Sequence, residues 1–320
     1  MKKLKSLFVV FGLVLFAVLA CQTPPEPIPQ ISRAESIPTD VTKITPEMDL
    51  YPPILHSDEW ESPVPVDAPV STTGAEDSPF ITPDGNTLYF FFTPDVRVPV
   101  EQQIVDGVTG IYSSTRWDGV WSEPERVILQ DPGELSMDGC EFVQGNVMWF
   151  CSVRVGNLRE IDLYTAVYEN GRWTNWENAG EKLNLEIGVG EMHITADGSE
   201  LYFHSDIEGG LGGVDIWVTR LVDGEWSDAE NVTAVNSSET DGWPFIAQDG
   251  AELWFLRWYQ GTPGIFRSLR VGGEWDSPEL IVSQFAGEPS LDNQGNLYFV
   301  HHYYKDGVML EADIYVAYKK

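Results

Sequence analysis

Residues 202–218 read YFHSDIEGGLGGVDIWV, two runs of alternating apolar residues on either side of a loop with four glycines. A phosphate-binding loop needs a strand followed by glycines that open a helix, so that backbone N–H groups converge on the anion. Here the glycines lead into residues 214–219, which alternate like a second strand. The stretch therefore predicts two strands joined by a wide turn, in which the glycines adopt positive φ angles.

The same pattern recurs along the chain. Tryptophan occurs in matching contexts about fifty residues apart, which indicates an internal repeat. The five segments are DEWESPV, GVWSEPE, GRWTNWE, GEWSDAE and GEWDSPE, with Trp60, Trp121, Trp173, Trp226 and Trp275. Each unit also contains a glycine-turn hairpin, such as FITPDGNTLYFF, and a third strand, such as VDIWVTRL. With the segment after each tryptophan, every unit has four predicted strands.

Four antiparallel strands repeated radially form a β-propeller, which leaves only short sheet edges. The sequence thus predicts an all-β propeller over residues 54–320, with five blades and six as the alternative count. The last unit ends with its third strand at Lys320, whereas the first tryptophan segment precedes the first hairpin. The N-terminal segment is therefore expected to supply the outer strand of the last blade, and the recurrent tryptophans to pack between strands.

The motifs TPDG, LYFHSDIEGGLGGVDIW and WSEPERV resemble the PD-type, WD-like repeats of TolB-like propellers in bacterial envelope proteins. The resemblance covers about residues 57–320 and implies a propeller fold. It implies no single activity, because unrelated functions occur on one fold. Five-bladed propellers as a class include glycoside hydrolases that carry acids where the inner strands start.

The N-terminus predicts export. Residues 1–21 combine early lysines with an apolar run that is too short to cross a bilayer. The run ends in VLAC, which resembles a lipoprotein lipobox and predicts lipidation of Cys21, with simple secretion as the alternative. Residues 22–53 are rich in proline and predict a disordered tether. The protein is thus expected to be extracytoplasmic and anchored to the cell membrane or the outer membrane.

The charge balance excludes one class of partner. The chain has 50 acidic and 19 basic residues and a formal net charge of −31. Such a surface repels nucleic acid.

Acidic residues recur where the inner strands of successive units start, namely Glu76, Asp77, Asp138, Glu191, Asp241 and Glu288. They could accept backbone hydrogen bonds at turns. Alternatively, Glu76, Asp138, Glu191, Asp241 and Glu288 could bind a cation such as Ca²⁺, the one candidate cofactor. A third possibility is catalysis by two carboxyl groups among Asp77, Asp138, Glu191, Asp241 and Glu288, since inverting glycosidases place an acid and a base roughly 6.5–9.5 Å apart.

Aromatic and basic side chains are expected on the same face, where a sugar ring could stack and accept hydrogen bonds. The candidate ligand-binding residues are Trp243, Arg257, Trp258, Tyr259, His301 and Tyr303. The alternative is that some of them pack between blades. Arg97, Arg154 and Arg159 are candidates for pairing with the acids.

Cys140 and Cys151 lie symmetrically about the turn at Gly145 and Asn146. A two-residue turn would place them directly opposite each other, which predicts a disulfide in an exported protein. Two reduced core thiols are the alternative.

Taken together, these features predict a lipid-anchored propeller that serves as a binding module or scaffold for a glycan or an envelope protein. The enzymatic alternative is a glycoside hydrolase with paired carboxylates on the channel face.

Overall fold

The computed structural model describes residues 32–320, of which strands form the dominant part. The predicted signal peptide, Cys21 and residues 22–31 lie outside the described residues. Strands alternate buried and exposed side chains or are buried on both faces, as β4 and β14 below illustrate. The prediction of an all-β chain is confirmed.

Two short strands, β1 (Ile54–Leu55) and β2 (Val64–Pro65), come first. The first unit contains β3 (Ala75–Ile81), β4 (Thr87–Thr93), β5 (Gly110–Trp117), β6 (Val120–Trp121) and β7 (Glu125–Arg126). The second contains β8 (Ser136–Gln144), β9 (Val147–Arg154), β10 (Asp162–Glu169) and β11 (Arg172–Asn178). The third contains β12 (Met192–Ile194), β13 (Glu200–Ser205), β14 (Asp215–Val222), β15 (Glu225–Trp226) and β16 (Glu230–Asn231).

The fourth unit contains β17 (Asp241–Ile246), β18 (Glu252–Tyr259), β19 (Thr262–Val271), β20 (Glu274–Trp275) and β21 (Glu279–Ser283). The fifth contains β22 (Ala286–Leu291), β23 (Leu297–Lys305) and β24 (Val308–Ala317). The described helices are short: α1 (Arg33–Ser36), α2 (Val100–Gln103) and a π-helix (Lys182–Ile187). Among residues 32–320, no helix has the length and apolar composition that a membrane crossing requires.

Consecutive strands of each unit pair antiparallel, in the order that the repeat predicts. The fifth unit lacks a following outer strand of its own, and β2 pairs with β24 through Val64–Val316 and Pro65–Tyr315. The buried Trp60 extends this edge by a bridge to Lys319. The N-terminal segment therefore supplies an outer strand to the last unit, as its sequence predicts.

The inner strands share an irregularity that decides where their side chains point. In β3, β8, β17 and β22, the pairing register with the following strand shifts close to the acidic residue, as it does at a β-bulge. The bulged positions have positive φ, and they are Ser78, Cys140, Trp243 and Glu288. Each bulge interrupts the alternation of side chains along its strand, so residues before and after it do not follow one alternating pattern.

The part of the predicted tether that the structure describes, residues 32–53, packs on the propeller. Helix α1 begins with a capping box between Ser32 and Glu35. Its first residue, Arg33, is buried. Lys43 contacts Glu311 and Asp313, and Asp49 Oδ2 lies 2.8 Å from His301 Nε2. We call residues 33–51 the strap. The prediction of a disordered tether is wrong for this part, because charged side chains fix it to the strands.

The glycine loop of residues 209–213 is a turn between β13 and β14, as predicted, but only Gly209 has a positive φ angle. Gly212 is required for a different reason, since a Cβ atom there would lie 1.8 Å from the carbonyl oxygen of Glu239. The loop N–H groups of Leu211 and Gly212 donate to the Asp215 carboxylate. The loop thus binds its own side chain.

Candidate functional site

The acids predicted from the repeat fall into two groups, those that contact an arginine and those that do not. Glu76, Asp138 and Asp241 lie before the bulge and are buried. We call them the paired acids, since each contacts an arginine. Asp138 Oδ1 lies 2.6 Å from Arg154 Nη2, and Glu76 Oε1 lies 2.8 Å from Arg33 Nη2. Asp241 pairs with Arg257 in the same way.

The arginines of these pairs also stack on aromatic rings. Arg154 lies 4.6 Å from the centre of the Tyr164 ring, and Arg257 lies 4.8 Å from that of Phe266. Buried charges that are neutralised and enclosed in this way serve packing and are closed to a ligand. The paired acids are therefore not the catalytic or metal-binding residues that the sequence suggests. Of the other candidate arginines, Arg97 pairs with Asp40 and Asp95, whereas Arg159 donates to the carbonyl oxygen of Val189.

A second group of acids surrounds a small cavity where the five inner strands converge. We call it the central cavity. Its volume is about 50 Å³, and residues of all five units line it. The acidic lining residues, here called the cavity acids, are Glu141, Glu191 and Glu288. Two of them are predicted from the sequence, and Glu141 is not. It lies three residues after Asp138, beyond the bulge, and only the register shift reveals that it takes the inward position.

The cavity acids lack the partners that the paired acids have. Glu141 is 5% exposed, and neither of its carboxylate oxygens has a hydrogen-bond partner among the described residues. Oε2 of Glu288 is also without one. Burial, reinforced by the charges of neighbouring acids, raises the pKa of Glu141 and of Glu288 well above its usual range. The same causes raise the pKa of Glu191 to about 7.

Asp77 lies beside the cavity acids and behaves in the opposite way. Burial acts to raise its pKa, but His302, the Ser78 N–H and Glu288 together outweigh burial and hold the pKa below its usual range. His302 Nε2 lies 3.7 Å from Asp77 Oδ2, and the Ser78 N–H donates to Asp77 Oδ1 at 2.9 Å. Burial lowers the pKa of His302 less than Asp77 raises it, so the net shift is upward. The site therefore holds one ionised carboxylate next to carboxyl groups that favour the protonated form.

Aromatic rings close the cavity on its inner side. The ring of His193 lies 4.8 Å from that of Phe142 and 4.4 Å from that of Phe245, centre to centre. Burial lowers the pKa of His193 to about 3, so its imidazole is neutral. The layer below the carboxyl groups is consequently apolar and uncharged.

The predicted ligand-binding residues divide by strand alternation. Trp243 lines the cavity and stacks near His204, with ring centres 4.7 Å apart. Trp258 is 45% exposed, while Tyr259 packs against Phe266. In contrast, Arg257, His301 and Tyr303 point inward: Arg257 pairs with Asp241, His301 contacts Asp49, and the Tyr303 hydroxyl bonds to Asp313. These three are wrong as ligand-binding candidates.

The neighbours of these residues take half-buried positions that the sequence prediction missed. His302 lies beside Asp77, and Tyr304 stacks on Phe285 with ring centres 4.6 Å apart. Tyr51 of the strap completes this group at 5.5 Å from Phe285. Period-two alternation along β23 is the signal that separates the two sets, once the inward face is known.

The two cysteines are free thiols in this structure. The hairpin pairs Gln144 with Val147 as predicted, but the bulge then shifts the register, so that Cys151 pairs with Gly139. Cys140 is displaced into the bulge, and the prediction of directly opposed cysteines is wrong. The pKa of the Cys140 thiol is raised well above its usual range, mainly by the hydrogen bond with Cys151 and secondly by burial.

The residues 32–320 contain no group of three or more His, Cys, Asp or Glu side chains arranged to hold a metal ion. Three of the five candidate Ca²⁺ ligands are the paired acids, whose carboxylates already face arginines. The predicted Ca²⁺ ring is therefore not formed.

No protein-family model and no curated protein matches this chain. Among solved structures, the endo-arabinase of Bacteroides thetaiotaomicron is similar, with a TM-score of 0.50 and 16% identity over 79% of this chain and 96% of its own. TolB of Acinetobacter baumannii has a TM-score of 0.47 and 15% identity, over 78% of this chain. TolB of Agrobacterium tumefaciens has a TM-score of 0.40 and 16% identity, over 78% of this chain and 92% of its own.

TolB proteins are thus among the structures to which this chain is similar, as its repeats predict. The chain spans 55% of the length of the Acinetobacter TolB. At these identities the likeness shows a β-propeller fold and nothing of the activity.

Proposed function

We propose that this protein is a five-bladed propeller, exported and anchored through Cys21, whose channel face binds a glycan of the cell envelope. The blade count is supported by the five sets of antiparallel strands and by the pairing of β2 with β24. The anchor is supported by the signal-like residues 1–21. The binding role is argued from the central cavity.

One observation carries the binding role: both carboxylate oxygens of Glu141 and Oε2 of Glu288 have no hydrogen-bond partner among the described residues, whereas the paired acids contact arginines. A buried polar group without a hydrogen bond costs folding free energy, and proteins satisfy nearly all such groups. A ligand that hydrogen-bonds to Glu141 and Glu288 would remove this cost. The unsatisfied oxygens therefore support the proposal of a ligand at the central cavity.

The surroundings of the cavity favour a sugar as that ligand. Trp243 lies at the cavity, and Trp258 and the stacked pair of Phe285 and Tyr304 are at the same end of their sheets. Exposed aromatic faces next to carboxyl groups suit a ring with an apolar face and hydroxyl groups at its edge. A cavity of about 50 Å³ is too small for a whole sugar ring. The glycan is thus expected to lie across the opening, with one small substituent inside.

The test is a calorimetric titration of residues 22–320 with oligomers of neutral hexoses, pentoses and hexosamines. At least one class should bind, and Trp243→Ala and Trp258→Ala should each weaken it by about tenfold or more, which corresponds to about 1.4 kcal/mol. Trp117→Ala is the matched control, because Trp117 is 84% exposed and ends β5 at the opposite end of its sheet. Equal affinity of all variants, or no binding of any class, contradicts the proposal; in the second case an envelope protein becomes the candidate partner.

A specific observation favours a second candidate, glycoside hydrolysis. Asp77 has a lowered pKa while Glu191 has a pKa raised to about 7, and such a pair can provide a general base and a general acid. If the protein hydrolyses an oligosaccharide from the panel, Glu191→Gln should lower the rate by about 100-fold or more. Unchanged turnover in Glu191→Gln and Asp77→Asn would exclude this role.

A further inference from the structure

The charge in and around the central cavity is unbalanced. Three carboxyl groups line it, and none of its lining residues is Lys or Arg. Asp77 lies beside them, and the nearby His302 is engaged by Asp77. The paired acids, which lie on the inner strands β3, β8 and β17, each have an arginine. The cavity thus has no basic side chain to balance the negative charge that its carboxyl groups carry when they ionise.

The number of unsatisfied acceptors is also informative. Both carboxylate oxygens of Glu141 and Oε2 of Glu288 lack partners among the described residues. Glu141 is almost fully buried, so that bulk water does not reach these oxygens. A primary ammonium group carries three N–H donors around one positive charge. It would supply one donor for each of the three unsatisfied oxygens.

The size of the cavity and its inner wall fit a group of this kind. One water needs roughly 10–15 Å³ of such volume, so about 50 Å³ holds a few atoms and excludes a sugar ring. The inner wall is formed by Phe142, Phe245 and the neutral His193. Aromatic faces attract cations, most strongly where water is excluded.

We propose that the central cavity binds the primary ammonium group of its ligand, so that the glycan is one that carries a free amine, such as an amino sugar that is not N-acetylated. This inference rests on the proposed glycan-binding function. A neutral hydroxyl group would leave the cavity acids without a counter-charge. A metal ion is disfavoured, because the described residues offer no set of ligands for one.

The experiment compares two ligands of equal length, a glucosamine oligomer and its N-acetylated form, by titration of residues 22–320. The free amine should bind at least about tenfold more tightly, since acetylation removes the charge and two donors. Glu141→Gln should abolish this preference, so that the variant binds the two oligomers with equal affinity. Glu225→Gln, an exposed acid on β15, controls for general attraction to an acidic surface.

The outcomes separate the two proposals. Equal affinity for both oligomers, or a preference that survives in Glu141→Gln and in Glu191→Gln, would overturn the amine site and leave glycan binding intact. A preference lost equally in Glu225→Gln would show a surface effect and would also overturn it. If neither oligomer nor any other glycan binds, the proposed function fails, and the amine site fails with it. Melting temperatures of the variants verify that each is folded.

Discussion

At the scale of single residues, the presence or absence of an arginine partner distinguishes the chemistry of the buried carboxyl groups. Glu191 has no arginine partner, and its pKa is raised to about 7 by burial and then by the charge of Asp77. In an unfolded chain its pKa returns to near 4.5. Between these two values the folded state binds more protons than the unfolded state, so this group makes the protein less stable as pH rises.

We therefore expect Glu191→Gln to stabilise the protein in a pH-dependent way. Glutamine imitates the protonated acid, so the variant and the parent should have similar melting temperatures at pH 4.5, and the variant should melt higher at pH 7.5. The difference between the two proteins is the quantity to measure by thermal unfolding. Groups that titrate near Glu191 contribute to both proteins and largely cancel; they are Asp77, Cys140, Glu141, His204, Glu288 and His302.

A melting-temperature difference that is constant from pH 4.5 to pH 7.5 would contradict this assignment. The matched control is Glu225→Gln, whose side chain is exposed. Its melting temperature should follow that of the parent at every pH.

The same residue scale shows what sequence reasoning could reach. The alignment of the hairpins on their turn glycines correctly places Glu191 and Glu288 where the inner strands start, at the central cavity. It cannot tell Asp138 from Glu141, since which of them points inward depends on a one-residue bulge at Cys140. A bulge leaves no mark in the apolar periodicity. The sequence therefore predicts Asp138 as the inward acid of the second unit, three residues before Glu141, which takes that position in the structure.

At the scale of elements, the strap completes the repeat in the first unit. Arg33 lies over the rings of Phe92 and Tyr112 and contacts Glu76, as Arg154 lies over Phe150 and Tyr164 and contacts Asp138. The second unit supplies its arginine from its own strand β9, whereas the first receives one from outside the repeat. Composition could not predict this, because a proline-rich segment with a few charged residues resembles a tether until its partners are known.

Loss of Arg33 should therefore destabilise the whole domain. Burial lowers the pKa of Arg33 and raises that of Glu76 to about 7, so desolvation costs both partners. Removing only one of them leaves the other buried without a counter-charge, which typically costs about 3–5 kcal/mol. We expect Arg33→Met to lower the free energy of unfolding by an amount of this order, measured by urea denaturation.

Arg97→Met provides the control for this strap variant. Arg97 also joins the strap to the first unit, through Asp40, but both side chains are more than half exposed. Exposed ion pairs contribute about 0–1 kcal/mol, so this variant should remain close to the parent. A similar small effect of both substitutions would mean that the strap is not part of the folded unit.

At the scale of the whole molecule, the repeat predicts the architecture because the strand order of each unit can be identified from its own sequence. The first tryptophan segment has no preceding hairpin, which indicates that the N-terminal segment supplies the outer strand of the last unit. In the structure β2 covers the edge of β24 at Tyr315 and Val316, both of which are buried. An uncovered edge strand presents unpaired N–H and C=O groups and tends to pair with another chain.

A chain that starts at residue 71 should consequently lose its single folded state, because β24 then has an open edge and the pocket of Trp60 is empty. A chain that starts at residue 54 lacks the strap but keeps β1, β2 and Trp60, so it should unfold cooperatively at a temperature below that of the chain from residue 32. Thermal unfolding and size-exclusion chromatography distinguish these states. If the chain from residue 71 stayed monomeric and melted at the same temperature as the chain from residue 54, the pairing of β2 with β24 would contribute little to stability. Other contacts between the units would then hold the domain together.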